Sequence, residues 1–216
     1  MEKFLDFKDE IDYTKLQEPA NIIKKGGIVI FPTETVYGIG VNGLDEEAIK
    51  KLYKIKQRPL NKPISLLVSN IEMVEKIAKD ITEIEYKLMK NFCPGPFTII
   101  LKKKDIIPNI LTANQETVGI RMPSEEIARK LVEYANVPIA TPSANISGKQ
   151  SGTNLKNIIE DFNGKADYFI DGGESKLGIA STIVKVIDGV PHILRQGSIT
   201  KEQIEKVVGK VVVECE

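Results

Sequence analysis

Five stretches of this chain carry side chains able to hold a charged ligand. The first, "FPTETVYGIG" (31–40), sets Thr33, Glu34 and Thr35 after Pro32, where an apolar run would open to solvent. Gly38 and Gly40 permit close backbone approach, although an ordinary strand-to-loop exit has the same composition. The second, "KIKQRPLNKP" (54–63), places Lys54, Lys56, Arg58 and Lys62 within nine residues. Pro59 ends the helix that brings them there. Arginine offers a phosphate a planar fork and lysine a point charge; cations at a solvated helix end would instead complement the helix dipole. In the third, "TVGIRMPS" (117–124), Arg121 interrupts an apolar strand pattern between Ile120 and Met122. Such an arginine sits on a wet face, holds an anion, or pairs with Asp or Glu. The fourth, "ATPSANISGKQSGT" (140–153), has five hydroxyl side chains, Asn145 and no negative charge. Thr141, Ser143, Asn145, Ser147 and Ser151 are donors able to bind phosphate or carboxylate, with Gly148 and Gly152 allowing sharp turns; alternatively they close Asx and Ser/Thr turns on themselves. The fifth pairs "GIASTIVKV" (178–186) with "LRQGS" (194–198). Ser181 and Thr182 begin a strand, and Arg195 ends the next one.

Several chemistries are excluded. There is no GxxxxGK[ST] and no G-x-G-x-x-G directly at the end of an expected strand. His192 is the sole histidine and falls inside an expected strand, which leaves a Ser-His-Asp triad without a mobile base. One histidine with Cys93 and Cys215 cannot build a Cys/His metal cluster. Lys+Arg and Asp+Glu number 30 each, so the net charge of zero argues against a protein that coats nucleic acid. Two cysteines without a pairing pattern, behind an acidic start unlike a signal peptide, point to a reducing, cytoplasmic location. No stretch approaches the roughly 18 apolar residues of a membrane span, and the sequon Asn145-Ile146-Ser147 is coincidental in that setting.

The elements that must position these groups alternate. Short Ile- and Val-rich runs at 27–33, 64–69, 97–103, 118–123, 138–143, 168–173 and 181–189 read as strands. Several are continuously apolar, as in strands covered on both faces. Helices are expected near 14–25, 71–79, 124–135 and 155–162, with another after Asp45, where Ala48, Ile49, Leu52 and Tyr53 form one apolar face. Thr82–Glu85 and Thr200–Gln203 fit the capping box. A hairpin is expected around Asp188-Gly189. The 216 residues, 42% apolar, read as one α/β domain over 1–216. Its expected architecture is a twisted mixed sheet with helices packed around it and a concave ligand cleft.

Taken in order, "FPTETVYGIG", "KIKQRP", "PGPFTIIL", "VGIRMP", "TPSANISGKQSGT", "STIVKV" and "LRQGSI" resemble the YrdC-type domain of threonylcarbamoyl-AMP synthases over about residues 13–200. The most specific pair is Lys56-Gln57-Arg58 (K-x-R) with Ser143-Ala144-Asn145 (S-x-N). The resemblance implies a YrdC-like fold and an enzyme that makes L-threonylcarbamoyladenylate and pyrophosphate from L-threonine, bicarbonate or CO2, and ATP. That product serves the threonylcarbamoyl modification of adenosine 37 in tRNAs reading codons that begin with A, through hand-over to a separate transferase. Lys56 and Arg58 are implied as catalytic. Arg58, Lys62, Thr117, Ser143, Asn145, Ser151 and Arg195 are implied for ATP, with Mg2+ shared among its phosphates. Thr33 or Thr35, with Arg121, Thr141 and Ser181, are implied for threonine.

The chain departs from the resemblance in two ways. Leu67 stands where some members carry a histidine near threonine, and the C-terminal domain of longer members has no counterpart before Glu216. Two other readings share the fold. A hydrogenase-maturation carbamoyl-transfer enzyme would bring long Cys-rich modules, which do not fit two cysteines. A non-catalytic RNA-binding module, or weak RNA contact by the enzyme itself, would use basic residues 54–62 and 102–104. A catalytically silent regulator would not need intact K-x-R and S-x-N elements.

Overall fold

The computed structural model describes residues 3–7 and 11–214; Cys215 lies outside the described residues. The strands are β1 (Lys3–Asp6), β2 (Val29–Phe31), β3 (Gly38–Asn42), β4 (Leu66–Leu67), β5 (Ala78–Lys79), β6 (Phe97–Lys103), β7 (Thr117–Arg121), β8 (Ile139–Ala140), β9 (Tyr168–Asp171), β10 (Thr182–Ile187), β11 (Val190–Arg195) and β12 (Val212–Val213). The helices are α1 (Gln17–Lys24), α2 (Glu46–Lys56), α3 (Ile71–Ile77), α4 (Glu83–Phe92), α5 (Glu126–Ala135), α6 (Lys156–Phe162) and α7 (Lys201–Val208). A 3-10 turn over Tyr13–Leu16 leads into α1.

The strands form one mixed sheet in the order β1-β9-β2-β3-β8-β4-β7-β6-β10-β11-β12, with β5 added beside β6. Parallel pairs such as β6–β10 and β4–β7 alternate with antiparallel pairs such as β6–β7 and β10–β11. β2 is buried along its whole length, as its continuous apolar run requires. Each amphipathic helix turns one stripe to the core. In α5 that stripe is Ile127, Ala128, Leu131, Val132 and Ala135.

Local signals behave as their chemistry dictates. Both capping boxes form: Thr82 with Glu85, and Thr200 with Gln203. Asp45 caps α2 by accepting from the amides of Glu47 and Ala48. The β10–β11 hairpin turns on Asp188 (φ 49°) and Gly189 (φ 77°), the left-handed pair of a type I′ turn. One expectation needs correction, one strand had no expectation, and one helix starts two residues later than expected. β3 lies within a stretch read as a loop exit, because Gly38 and Gly40 hide the strand pattern while their missing side chains admit Thr141, Ile139 and Phe31. β1 is a short edge strand that had no sequence signal. α5 starts after Glu125, which makes no side-chain cap.

Thr82→Ala removes one half of a capping box and is expected to cost about 1 kcal/mol. A urea unfolding curve should show a lower midpoint with unchanged slope.

Candidate active site

The floor of one pocket is a row running across the sheet. Leu67 (β4), Arg121 (β7), Thr98 (β6), Ile183 (β10) and Arg195 (β11) are successive cross-strand partners. Residues directly opposite one another project to the same face, so five distant segments converge. All five line a pocket of about 270 Å³, together with Thr33, Thr35, Arg58, Thr141, Ser143, Ser151 and Ser181.

Arg121 is almost enclosed. Its Nη2 lies 2.9 Å from Glu34 Oε1, and the two side chains are 11% and 6% exposed. The pair meets off the hydrogen-bond axis: Arg121 Nε and Nη2 and Glu34 Oε1 are buried without an aligned hydrogen-bond partner. Burial works most strongly to raise the Glu34 pKa, but the Arg121 charge and the hydrogen bonds to the carboxylate together outweigh it and hold the carboxyl below its ordinary value. Thr33, Glu34 and Thr35 are 3%, 5% and 1% exposed, so the expectation that this strand end opens to solvent is corrected.

Hydrogen-bond direction separates the two threonines. Thr33 donates its single hydroxyl proton to the Val36 carbonyl at 2.6 Å. In the 2.9 Å contact between the two hydroxyls, Thr35 must therefore donate to Thr33. Thr35 keeps lone pairs for a ligand. The neighbouring wall has the same polarity, because Thr141 donates to the Ile139 carbonyl and Ser143 to Asn145 Oδ1. The pocket thus sets an acceptor wall against the donors of Arg58, Arg121 and Arg195.

Arg58 is aimed by the end of α2. Gln57 adopts a left-handed conformation (φ 52°), and the Arg58 amide closes back on the Tyr53 carbonyl. Arg58 Nε and Nη2 then donate to the carbonyls of Lys62 and Pro63 at 3.0 and 2.8 Å. Burial lowers its pKa from the ordinary value. Arg195 Nε and Nη2 both donate to the Ser181 carbonyl, at 3.1 and 2.8 Å, and Nη2 also reaches Ser181 Oγ at 3.2 Å. Gly197 makes this docking possible, since a Cβ there would stand 2.3 Å from the Ala180 carbonyl.

Lys56 does not line the pocket. It is 1% exposed, and its ammonium donates to the carbonyls of Ser143 and Asn145, each at 2.5 Å. The signal was present in the sequence: Lys56 continues the buried stripe Ala48, Ile49, Leu52, Tyr53 at helical spacing. Asn145 also works from behind, donating to the carbonyls of Ile146 and Lys149 while accepting from Ser143. Lys62 is exposed and outside the lining, and its contribution is the carbonyl that Arg58 grips. Thr117 stands at the far end of β7, about 13 Å of strand from Arg121, and lines a separate pocket with Lys102, Glu116 and Lys185. Thr98 and Glu34 were not singled out as ligand or positioning groups. Thr98 is 2% exposed and shares a 2.8 Å hydrogen bond with Ser181.

Among the described residues no cluster of three or more His, Cys, Asp or Glu could hold a metal, and no helix is long and apolar enough to cross a membrane. His192 sits in β11 and pairs with Glu214 at 2.5 Å.

Fold and pocket together define an α/β protein whose mixed sheet carries an arginine-rich, hydroxyl-lined pocket. The Sua5/YciO/YrdC family model, described as telomere recombination, matches residues 21–197, and the chain belongs to that family. It is 43% identical over 207 residues to the threonylcarbamoyl-AMP synthase of Pyrococcus abyssi, covering 96% of this chain and 61% of the relative. The Bacillus subtilis threonylcarbamoyl-AMP synthase is 39% identical, covering 98% of this chain and 62% of the relative. The crystal structure of P. abyssi Sua5 complexed with L-threonine superposes with a TM-score of 0.94 at 42% identity, over 98% of this chain and 62% of that one. The chain thus spans about three fifths of the length of these relatives.

Burial, and then the Arg58 charge, lower the Lys56 pKa to about 7. Between that value and the ordinary lysine value near 10.4 the unfolded chain holds a proton that the folded chain releases, so this group favours folding more as pH rises. Urea midpoints at pH 7 and pH 9 should therefore differ more, in the stabilising direction, for the wild type than for Lys56→Met. Equal differences would show that the ammonium stays charged between its two carbonyls.

Proposed function

We propose that this chain makes L-threonylcarbamoyladenylate and pyrophosphate from L-threonine, bicarbonate or CO2, and ATP. The observation that carries the reading is the polarity of the pocket: arginine donors on one side, hydroxyl acceptors on the other. An amino acid and a nucleoside triphosphate together present the complementary groups. The names of the P. abyssi and B. subtilis relatives and the threonine complex of the P. abyssi protein support the same reading.

Arg121 takes the threonine carboxylate, the role suited to a guanidinium in the pocket lining. Thr35 and Thr141 accept from the amine or hydroxyl of threonine, with Ser181 beside them. The amine adds to CO2 and loses a proton, giving a carbamate. A carbamate oxygen then forms a bond to the α-phosphorus of ATP as the bond to the bridging oxygen breaks and pyrophosphate leaves. The reaction needs alignment and charge neutralisation more than covalent help. Arg58 and Arg195 neutralise the phosphates, and Ser143 and Ser151 contact the nucleotide. Lys56 and Asn145 position the Ser143 loop. Mg2+ would be held by the triphosphate and would supply further charge neutralisation there.

Onward transfer of the product to adenosine 37 of tRNA by a separate transferase, in the cytoplasm, belongs to the same reading. The RNA-module alternative is weakened by two members of its expected footprint: Lys56 is buried, and Lys103 is 5% exposed with its ammonium on the Ile107 carbonyl and Asn109.

Pyrophosphate release should require ATP, threonine and bicarbonate together. Release independent of threonine would overturn the reading. Arg58→Ala is expected to lower turnover about 100-fold. Arg121→Ala should raise the KM for threonine at least about tenfold, near 1.4 kcal/mol, with a smaller change in the KM for ATP. Steady-state kinetics with each substrate varied separately checks both variants.

A further inference from the structure

We propose that Glu34 is a positioning residue that aims the Arg121 guanidinium and thereby sets how sharply the pocket recognises a carboxylate; the inference rests on the function proposed above. Glu34 is 5% exposed and is not part of the pocket lining. It reaches Arg121 from behind the pocket surface. On the floor itself, Arg121 is flanked by Leu67 on one neighbouring strand and Thr98 on the other. Leu67 has no group to hold a guanidinium, and the Thr98 hydroxyl is engaged with Ser181.

Glu34 is anchored at both ends. Its main-chain carbonyl accepts from the Leu177 amide at 2.9 Å, in the segment that leads to Ser181. Its Oε2 faces the Glu125 amide at 3.5 Å, at the start of α5. The carboxylate can therefore act as a fixed point against which the flexible arginine side chain is set. The contact is Coulombic rather than a bidentate fork, because the donors Nε and Nη2 are not aligned on Glu34. The part of the guanidinium that lines the pocket stays open to an incoming carboxylate, with its plane restrained by the charge behind it. A closed Arg–carboxylate fork would have used up the donors that recognition needs. Without the pair, a long side chain with several rotatable bonds would have to be ordered at each binding event.

The test compares L-threonine with L-threonine amide, which keeps the amine, hydroxyl and methyl groups but lacks the carboxylate. Threonine-dependent pyrophosphate release is measured for the wild type, Glu34→Gln and Glu34→Asp, with circular dichroism melting as the control for folding. In the wild type the KM for the amide should exceed that for threonine. In Glu34→Gln the KM for threonine should rise about tenfold while kcat stays within about threefold, and the amide-to-threonine KM ratio should collapse by a similar factor. Glu34→Asp, which keeps the charge, should recover part of that ratio. A residue serving only the scaffold would move both substrates together, so an unchanged ratio in a folded Glu34→Gln variant overturns the inference. Failure of both variants to fold would also overturn it, making Glu34 a scaffold residue. An inactive wild type would instead defeat the proposed function itself.

Discussion

A buried lysine amino group, charged or neutral, needs hydrogen-bond acceptors around it, and that requirement organises this site. Lys56 ends the core-facing stripe of α2, where water cannot reach it, and the carbonyls of Ser143 and Asn145 come to it. The loop from Thr141 to Ser151 is consequently tied to the last turn of α2. The Ser147 amide strengthens the tie by donating to the Lys56 carbonyl. One residue beyond, the left-handed turn at Gln57 releases Arg58 toward the pocket. The same helix end therefore supplies a cation that binds the protein and a cation that faces the ligand. Their sequence neighbourhood is shared, but their directions are opposite.

The second constraint is directional. Each hydroxyl of the acceptor wall has one proton, and Thr33, Thr141 and Ser143 give theirs to fixed protein acceptors. The wall meets a ligand with lone pairs. Opposite it stand guanidinium groups that are fixed by carbonyls at Arg58 and Arg195, and by a carboxylate at Arg121. Preorganised donors and acceptors need little rearrangement when charge develops on a reacting group. Such a site suits the reaction proposed above, whose difficulty is bringing two anions together, a carbamate and a polyphosphate, rather than breaking a resistant bond. No nucleophilic side chain with an adjacent base is required, in keeping with the single histidine lying away in β11.

How much of this was legible beforehand depends on the range of each interaction. The capping boxes at Thr82 and Thr200, the Asp45 cap and the Asp188-Gly189 hairpin were readable because their partners lie within four residues. The mixed sheet was readable from alternating Ile- and Val-rich runs. β3 was not, because two glycines removed the pattern that marks a strand, and β1 was not, because an edge strand of four residues carries little periodicity. Among the pocket residues, motif order brought out Arg58, Arg121, Thr141, Ser143, Ser151, Ser181 and Arg195, all of which the fold gathers. It also suggested Thr117, which a strand rise of about 3.3 Å per residue carries far from Arg121.

By itself the sequence determined residue types, their order, the local turns and caps, and the amphipathic stripes that place each element against the core. It even contained the fact that Lys56 lies on a buried stripe. Only the tertiary structure decided that Glu34 backs Arg121 and that Thr98 meets Ser181. It also decided that Thr35 rather than Thr33 keeps its lone pairs open, and that Lys56 holds a loop instead of lining the pocket. The Thr33–Thr35–Val36 hydrogen bonds are local in sequence but depend on backbone geometry, whereas the other relations join segments far apart in the chain. Sheet register has no local signature, because it is fixed by the packing of a whole face.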